Sequence, residues 1–155
     1  MARVLITGMS GTGKSTVLAA LGALGHRVVD TDTEQWSRWV TLPDGERDWV
    51  WREDAVSGLL AGHRDGHLFV AGCKSNQGRF YPQFDRVVLL SAPADVLLAR
   101  IASRTNNPYG KRPEELAAIL RHLAEVEPLL RATATVEIDA SGPVAEVVRR
   151  VLAGL

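Results

Sequence analysis

The chain has 155 residues, near the commonest size of a single domain, and at 46% apolar and 23% charged residues it has an ordinary globular composition. Lysine plus arginine and aspartate plus glutamate each number 18, which excludes a strongly basic nucleic-acid binder and argues against nucleic acid as a partner. The single cysteine, Cys73, excludes an intrachain disulfide, and no apolar run reaches the ~20 residues that span a membrane, so a cytoplasmic protein with no membrane partner is expected.

Taken in order, Met1 to Thr7 reads as a strand around the apolar run Val4-Leu5-Ile6. Gly8-Met9-Ser10-Gly11-Thr12-Gly13-Lys14-Ser15 then fits G-x-x-x-x-G-K-[ST] at every fixed position. A helix follows from Lys14 to about Leu24, with Val17, Leu18, Leu21 and Leu24 at helical spacing and Gly25 at its end. Strand, glycine loop and helix therefore come in the order that phosphate binding needs. Backbone amides of the loop and the positive end of the helix favour an anion. Ser10, Gly11, Thr12, Gly13, Lys14, Ser15 and Thr16 are the expected nucleotide-binding residues. Lys14 is expected at the β- and γ-phosphates of a nucleoside triphosphate and the Ser15 hydroxyl on Mg²⁺.

His26 to Asp30 reads as a second strand running into Thr31-Asp32. From Thr33 to His63 the pattern is helical but interrupted by a Pro43-Asp44-Gly45 turn, which predicts a helical insert over about residues 33–64. All four tryptophans (Trp36, Trp39, Trp49, Trp51) fall within it; the expectation is that they build its core, the alternative being that one or two stack on a nucleobase or another flat substrate. His67 to Gly72 is a third strand, followed by the polar loop Lys74 to Arg79, and Arg86 to Ser91 a fourth. Pro93 opens a helix carrying Val96, Leu97, Ala99 and Ile101; Thr105 to Arg112 is a polar loop; and Pro113-Glu114-Glu115 opens another helix. Val136 to Asp139 is a fifth strand and Val144 to Leu152 a closing amphipathic helix. Alternating strands and helices imply one α/β domain over residues 1–155: a three-layer fold with a five-stranded parallel sheet and helices on both faces. Ligands in such sheets lie beyond the carboxyl ends of the strands.

On that edge, Asp30 and Asp32 suit a metal ion and an acceptor hydroxyl. Arg47, Arg52, Lys74 and Arg79 are candidates for an anionic acceptor. Arg100 and Arg104, four residues apart, share a helix face. The four histidines lack metal-ligand spacing.

The stretch from Gly8 through Leu24-Gly25-His26-Arg27-Val28-Val29-Asp30-Thr31-Asp32 resembles the opening of the shikimate kinase-like, nucleoside-monophosphate-kinase-like group of P-loop kinases. The likeness returns in Leu97 to Arg104, similar to the helix entering that group's lid, and in Ile138 to Pro143, similar to its adenine-edge loop. The resemblance implies an adenylate kinase-like fold, ATP and Mg²⁺, and phosphoryl transfer to a small-molecule hydroxyl or phosphate acceptor. It assigns Asp30, with Ser15, to the metal and Asp32 to the acceptor. It places Arg100 on adenine, Arg104 on phosphate, and Gly142 and Pro143 at the base, with the insert at about 33–64 as the acceptor-binding region and a lid over about 104–113. Lys14, Asp32 and Arg104 are then the expected catalytic residues, and Asp32, Arg52 and Arg79 the expected acceptor contacts. The sequence departs from shikimate kinases in having Ala71 to Arg79 in place of a glycine triplet, and no aspartate ends the third strand. A nucleotide-binding regulatory ATPase or switch, or a nucleotide or polynucleotide kinase, is the alternative reading.

Overall fold

A computed structural model describes residues 1–105 and 107–155; Asn106, inside the expected lid, lies outside the described residues. A five-stranded parallel sheet runs in the order β2 (Arg27–Asp30), β5 (Leu68–Ala71), β1 (Arg3–Thr7), β6 (Arg86–Ser91), β7 (Val136–Asp139). Each strand lies where the apolar runs predict it. Leu5 of the central strand stands beside Val70 on one side and Val87 on the other.

The runs of the three central strands, β5, β1 and β6, are apolar because both of their faces are covered. Val4, Ile6, Phe69, Val88 and Leu90 turn to one side, where α1 (Lys14–Ala23) contributes Val17, Leu18 and Leu21 and α6 (Val144–Leu152) contributes Val147, Val148 and Val151. Leu5, Leu68, Val70 and Val87 turn to the other, against Val56, Leu59 and Leu60 of α2 (Glu53–Gly62) and the rings of Phe80 and Phe84. Beyond β6, α3 (Ala94–Ser103) leads through the polar loop to α4 (Pro113–Glu125) and α5 (Glu127–Thr133). Among the described residues, no helix is long and apolar enough to cross a membrane.

The insert at 33–64 differs from expectation. Only its second half, α2, is helical. The first half is an antiparallel hairpin of β3 (Ser37–Thr41) and β4 (Arg47–Trp51), with Trp39 opposite Trp49 and Ser37 opposite Trp51. Trp36, Trp39 and Val40 imitate a helical stripe. The alternation Ser37-Trp39-Thr41 and Arg47-Trp49-Trp51, on either side of a turn, is the pattern that prevails, and it suits residues rich in strand propensity. Gly45 closes the turn at φ 87°, with its N–H donating to the Leu42 carbonyl at 2.9 Å.

A two-stranded hairpin is marginal alone, so its docking decides its position. Trp51 is buried, and its indole N–H donates to the Thr31 hydroxyl at 2.8 Å. The Asn76 side chain acts as a surrogate peptide. Its Oδ1 accepts from the Trp51 N–H and its Nδ2 donates to the Trp51 carbonyl, both at 3.0 Å. The tryptophans therefore divide: Trp51 is core, Trp36 packs partly against that core, and Trp39 and Trp49 stand further along the ribbon.

Candidate active site

The loop between β1 and α1 is held by its own atoms. Thr12 Oγ1 donates to the Met9 carbonyl at 2.8 Å, and Lys14 Nζ turns back to the carbonyls of Gly8 at 2.6 Å and Met9 at 3.1 Å. A Cβ on Gly8 would lie 2.5 Å from the Leu90 carbonyl oxygen, so only glycine lets the loop leave the sheet here. Arg100 braces the same loop from α3, donating to the carbonyls of Ala140 at 2.6 Å and Gly11 at 3.4 Å. Burial draws the Lys14 ammonium below its usual range and nearby Lys74 adds to this, while Cys73, Asp30 and Asp32 oppose it.

A cavity of about 970 Å³ opens over this loop. One end lies among Arg100, Ala140, Gly142 and Val144; the other among Asp30, Asp32, the hairpin and the loop after β5. Asp32 is fixed from two directions: Lys74 Nζ donates to its Oδ1 at 2.9 Å, and Trp49 Nε1 donates to the same oxygen at 2.7 Å. Burial alone would raise the Asp32 carboxyl. The Lys74 hydrogen bond and charge, the Trp49 bond and the Lys14 charge outweigh it and hold the group below the ordinary aspartate range. Asp30 Oδ1 accepts the Asp32 N–H at 3.0 Å, which sets the backbone turn between the two carboxylates. Ser75 Oγ donates to Asp48 Oδ2 at 2.6 Å, a second tie between the hairpin and the β5 loop.

Most of the expected site residues meet in this one cavity: Ser10 through Thr16, Asp30, Asp32, Arg100, Arg104 and Gly142 all line it. Arg104 does so with its guanidinium engaged by the Asn107 carbonyl at 3.0 Å and by the Tyr109 carbonyl, while Lys111 Nζ donates to the Arg104 carbonyl at 2.6 Å. Three expectations are corrected. Arg52 faces away, donating to the Glu34 carbonyl at 2.8 Å, and Arg79 pairs with Glu53 on the surface at 3.2 Å. Neither lines the cavity; hairpin pairing and the turn after β5 direct both outward, and Arg47 and Lys74 stand in the cavity instead. Pro143 precedes α6 as its N-terminal cap and also lies outside the lining. Trp49 is the residue that sequence reasoning missed as a partner of Asp32; period-two alternation after the Pro-Asp-Gly turn was the available signal.

The fit of ATP and Mg²⁺ follows from the donors present. Backbone amides, a lysine and a helix start suit a polyphosphate. Among the described residues no group of three or more His, Cys, Asp or Glu could hold a metal by itself. A hard ion that keeps water and phosphate oxygens, completed by Ser15 and Asp30, suits this oxygen-only set.

A family model described as an AAA domain matches residues 4–121. A curated shikimate kinase from Halorhodospira halophila is 32% identical over an alignment of 169 positions, covering 99% of this chain and 93% of the relative. The chain belongs to the shikimate kinase-like P-loop kinases. A second shikimate kinase, from Rhodopseudomonas palustris, is 31% identical over 83% of this chain and 68% of its own length. Among solved structures, the shikimate kinase of Acinetobacter baumannii in complex with shikimate superposes with a TM-score of 0.69 at 20% identity, covering 98% of this chain and 91% of that one. A gluconokinase from Sinorhizobium meliloti does so at 0.60 and 22% identity, covering 99% and 90%. These two share the three-layer fold. As a shikimate kinase-like enzyme the chain is an ATP-dependent kinase that transfers a phosphoryl group to a small-molecule hydroxyl acceptor.

Proposed function

We propose that Asp32 orients the acceptor hydroxyl at the hairpin end of the cavity while Lys14 and the loop amides hold the triphosphate. The observation that carries this reading is the clamp on Asp32. Two donors occupy Oδ1, so Oδ2 is the oxygen left for an acceptor. The hydroxyl oxygen attacks the γ-phosphorus, the bond to the β–γ bridging oxygen breaks, ADP leaves, and the hydroxyl proton passes to Asp32 Oδ2. A carboxylate held below its ordinary pKa is a weak base that stays ionised, so it aligns the hydroxyl first and takes the proton late. Positioning and charge then supply most of the rate.

Ser15 and Asp30 would hold Mg²⁺, which neutralises charge on the phosphates. Arg104 exchanges the Asn107 and Tyr109 carbonyls for phosphate oxygens when the nucleotide binds, and Arg100 presents its flat face to adenine at the Gly142 edge. The whole chain acts as one kinase domain in the cytoplasm on a small acceptor, with neither membrane nor nucleic acid involved.

Asp32→Asn tests this directly. MgATP should bind with near-normal affinity by calorimetry, while phosphoryl transfer falls by about 10²–10⁴-fold. Loss of MgATP binding would move Asp32 to the metal; undiminished transfer would remove it from the site.

A further inference from the structure

The acceptor end carries a feature that phosphoryl transfer does not require: an exposed aromatic ledge keyed to Asp32. The hairpin face that starts buried at Ser37 and Trp51 continues outward as Trp39 and Trp49, which line the cavity. Trp39 is 55% exposed, a large ring left in the open beside the reacting groups. Trp49 points its N–H edge at Asp32, so its ring face extends away from the carboxylate that receives the hydroxyl. A ring laid on that face brings its own edge to Asp32.

The geometry of the two indoles limits what can lie there. Their centroids are 5.2 Å apart and their planes inclined by 49°, so they touch each other and leave no slot for a flat base between them. Arg47 already covers Trp39, its guanidinium carbon 5.0 Å from the ring centroid. One open ledge remains, fit for the apolar C–H face of a ring whose edges carry hydroxyls. The polar surroundings match. Asp30, Asp32 and Asp48 stand with three cations, Lys14, Lys74 and Arg47, each already engaged: Lys74 by Asp32, Lys14 by the Gly8 and Met9 carbonyls, and Arg47 over the Trp39 ring. That arrangement offers acceptors to hydroxyl protons and leaves a carboxylate little to pair with.

We propose that the phosphoryl acceptor is a neutral polyhydroxylated ring, a sugar or cyclic polyol, stacked on Trp49 with one hydroxyl at Asp32. This rests on the assignment of Asp32 to the acceptor. Trp49 thus both selects the acceptor by its face and fixes the orienting carboxylate by its edge.

The test compares three acceptor classes at fixed MgATP by acceptor-dependent ADP release: neutral rings (glucose, inositol), carboxylated polyols (shikimate, gluconate) and nucleosides (adenosine, uridine). A neutral ring should give the highest kcat/KM, by about tenfold or more. Trp49→Ala should raise its KM about tenfold, the scale of an aromatic stacking contact, with MgATP affinity by calorimetry unchanged. Trp49→Phe, which keeps the face and loses the N–H, should hold KM within about threefold and lower kcat. Preference for a carboxylated polyol, with KM sensitive to Arg47→Ala and indifferent to Trp49→Ala, would overturn the ledge and leave the Asp32 assignment standing. Preference for a nucleoside would overturn it equally. If MgATP binds and no class accepts phosphate, the Asp32 assignment falls and the ledge with it.

Discussion

The two ends of the cavity are built by opposite means. At the nucleotide end the phosphate loop closes on its neighbours in sequence, Lys14 on carbonyls five and six residues away and Thr12 on one three residues away, and Arg100 only braces it from α3. At the acceptor end the parts come from three separate segments. Asp32 meets Trp49 across 17 residues and Lys74 across 42. A loop closed by its own backbone forms wherever its glycines and helix occur. A carboxylate clamped by a hairpin and a distant loop forms only when the rest of the chain has folded. Substitutions at the first end should therefore act on chemistry alone, and those at the second on chemistry and assembly together.

Lys14→Ala is the strongest test of the first half of that statement. Transfer should fall by about 10²–10³, or about 3–4 kcal/mol, with an unchanged circular dichroism spectrum and melting temperature. A variant that melted early would show that the loop depends on its lysine for folding.

Asn76→Ala probes the other half. It deletes both hydrogen bonds to the Trp51 main chain and should cost about 1–3 kcal/mol in urea unfolding. Because the hairpin carries Trp49, turnover should fall as well, with MgATP affinity intact. Stability lost without turnover would separate the clasp from the site.

Lys74→Met should act more gently and in a defined direction. The Lys74 hydrogen bond and charge help hold the Asp32 carboxyl down against burial, so removing them raises its pKa. The acid limb of the kcat/KM profile should then move to higher pH. An unmoved limb would mean that Asp32 does not govern it.

The smallest effect lies far from either end. Burial, helped by the chain's amino terminus, His26 and His63, lowers the His67 pKa below its free value near 6.5. A group depressed in this way binds fewer protons folded than unfolded, so its contribution to stability is full above that pH and is lost as pH falls. His67→Gln should flatten the dependence of urea midpoint on pH between about 7 and 5.

The same contrast explains what could be read from the sequence. Five strands and the phosphate loop are local patterns, apolar runs and glycines at fixed offsets, and they stand where expected. The hairpin differs from the helix its sequence suggests because Trp36, Trp39 and Val40 match a helical stripe as well as a ribbon face; what settles the matter is pairing with residues 47–51 beyond the turn. Arg52 and Arg79 carry the right charge, yet their directions depend on that same pairing and on Glu53. Asp32 was legible by its place after β2, and its partners were not, since neither Trp49 nor Lys74 is near it in sequence.

The clasp at Asn76 has a consequence for how such an enzyme could change over time. It grips Trp51 only through the main-chain N–H and carbonyl, atoms that every residue but proline supplies. The side chains further along the ribbon, Trp39, Arg47 and Trp49, are not part of the grip. A lineage can therefore rewrite them one by one, or trade one hairpin tip for another, while the anchorage and the phosphate machinery stay as they were. New acceptors become reachable by mutations that leave the means of attachment untouched.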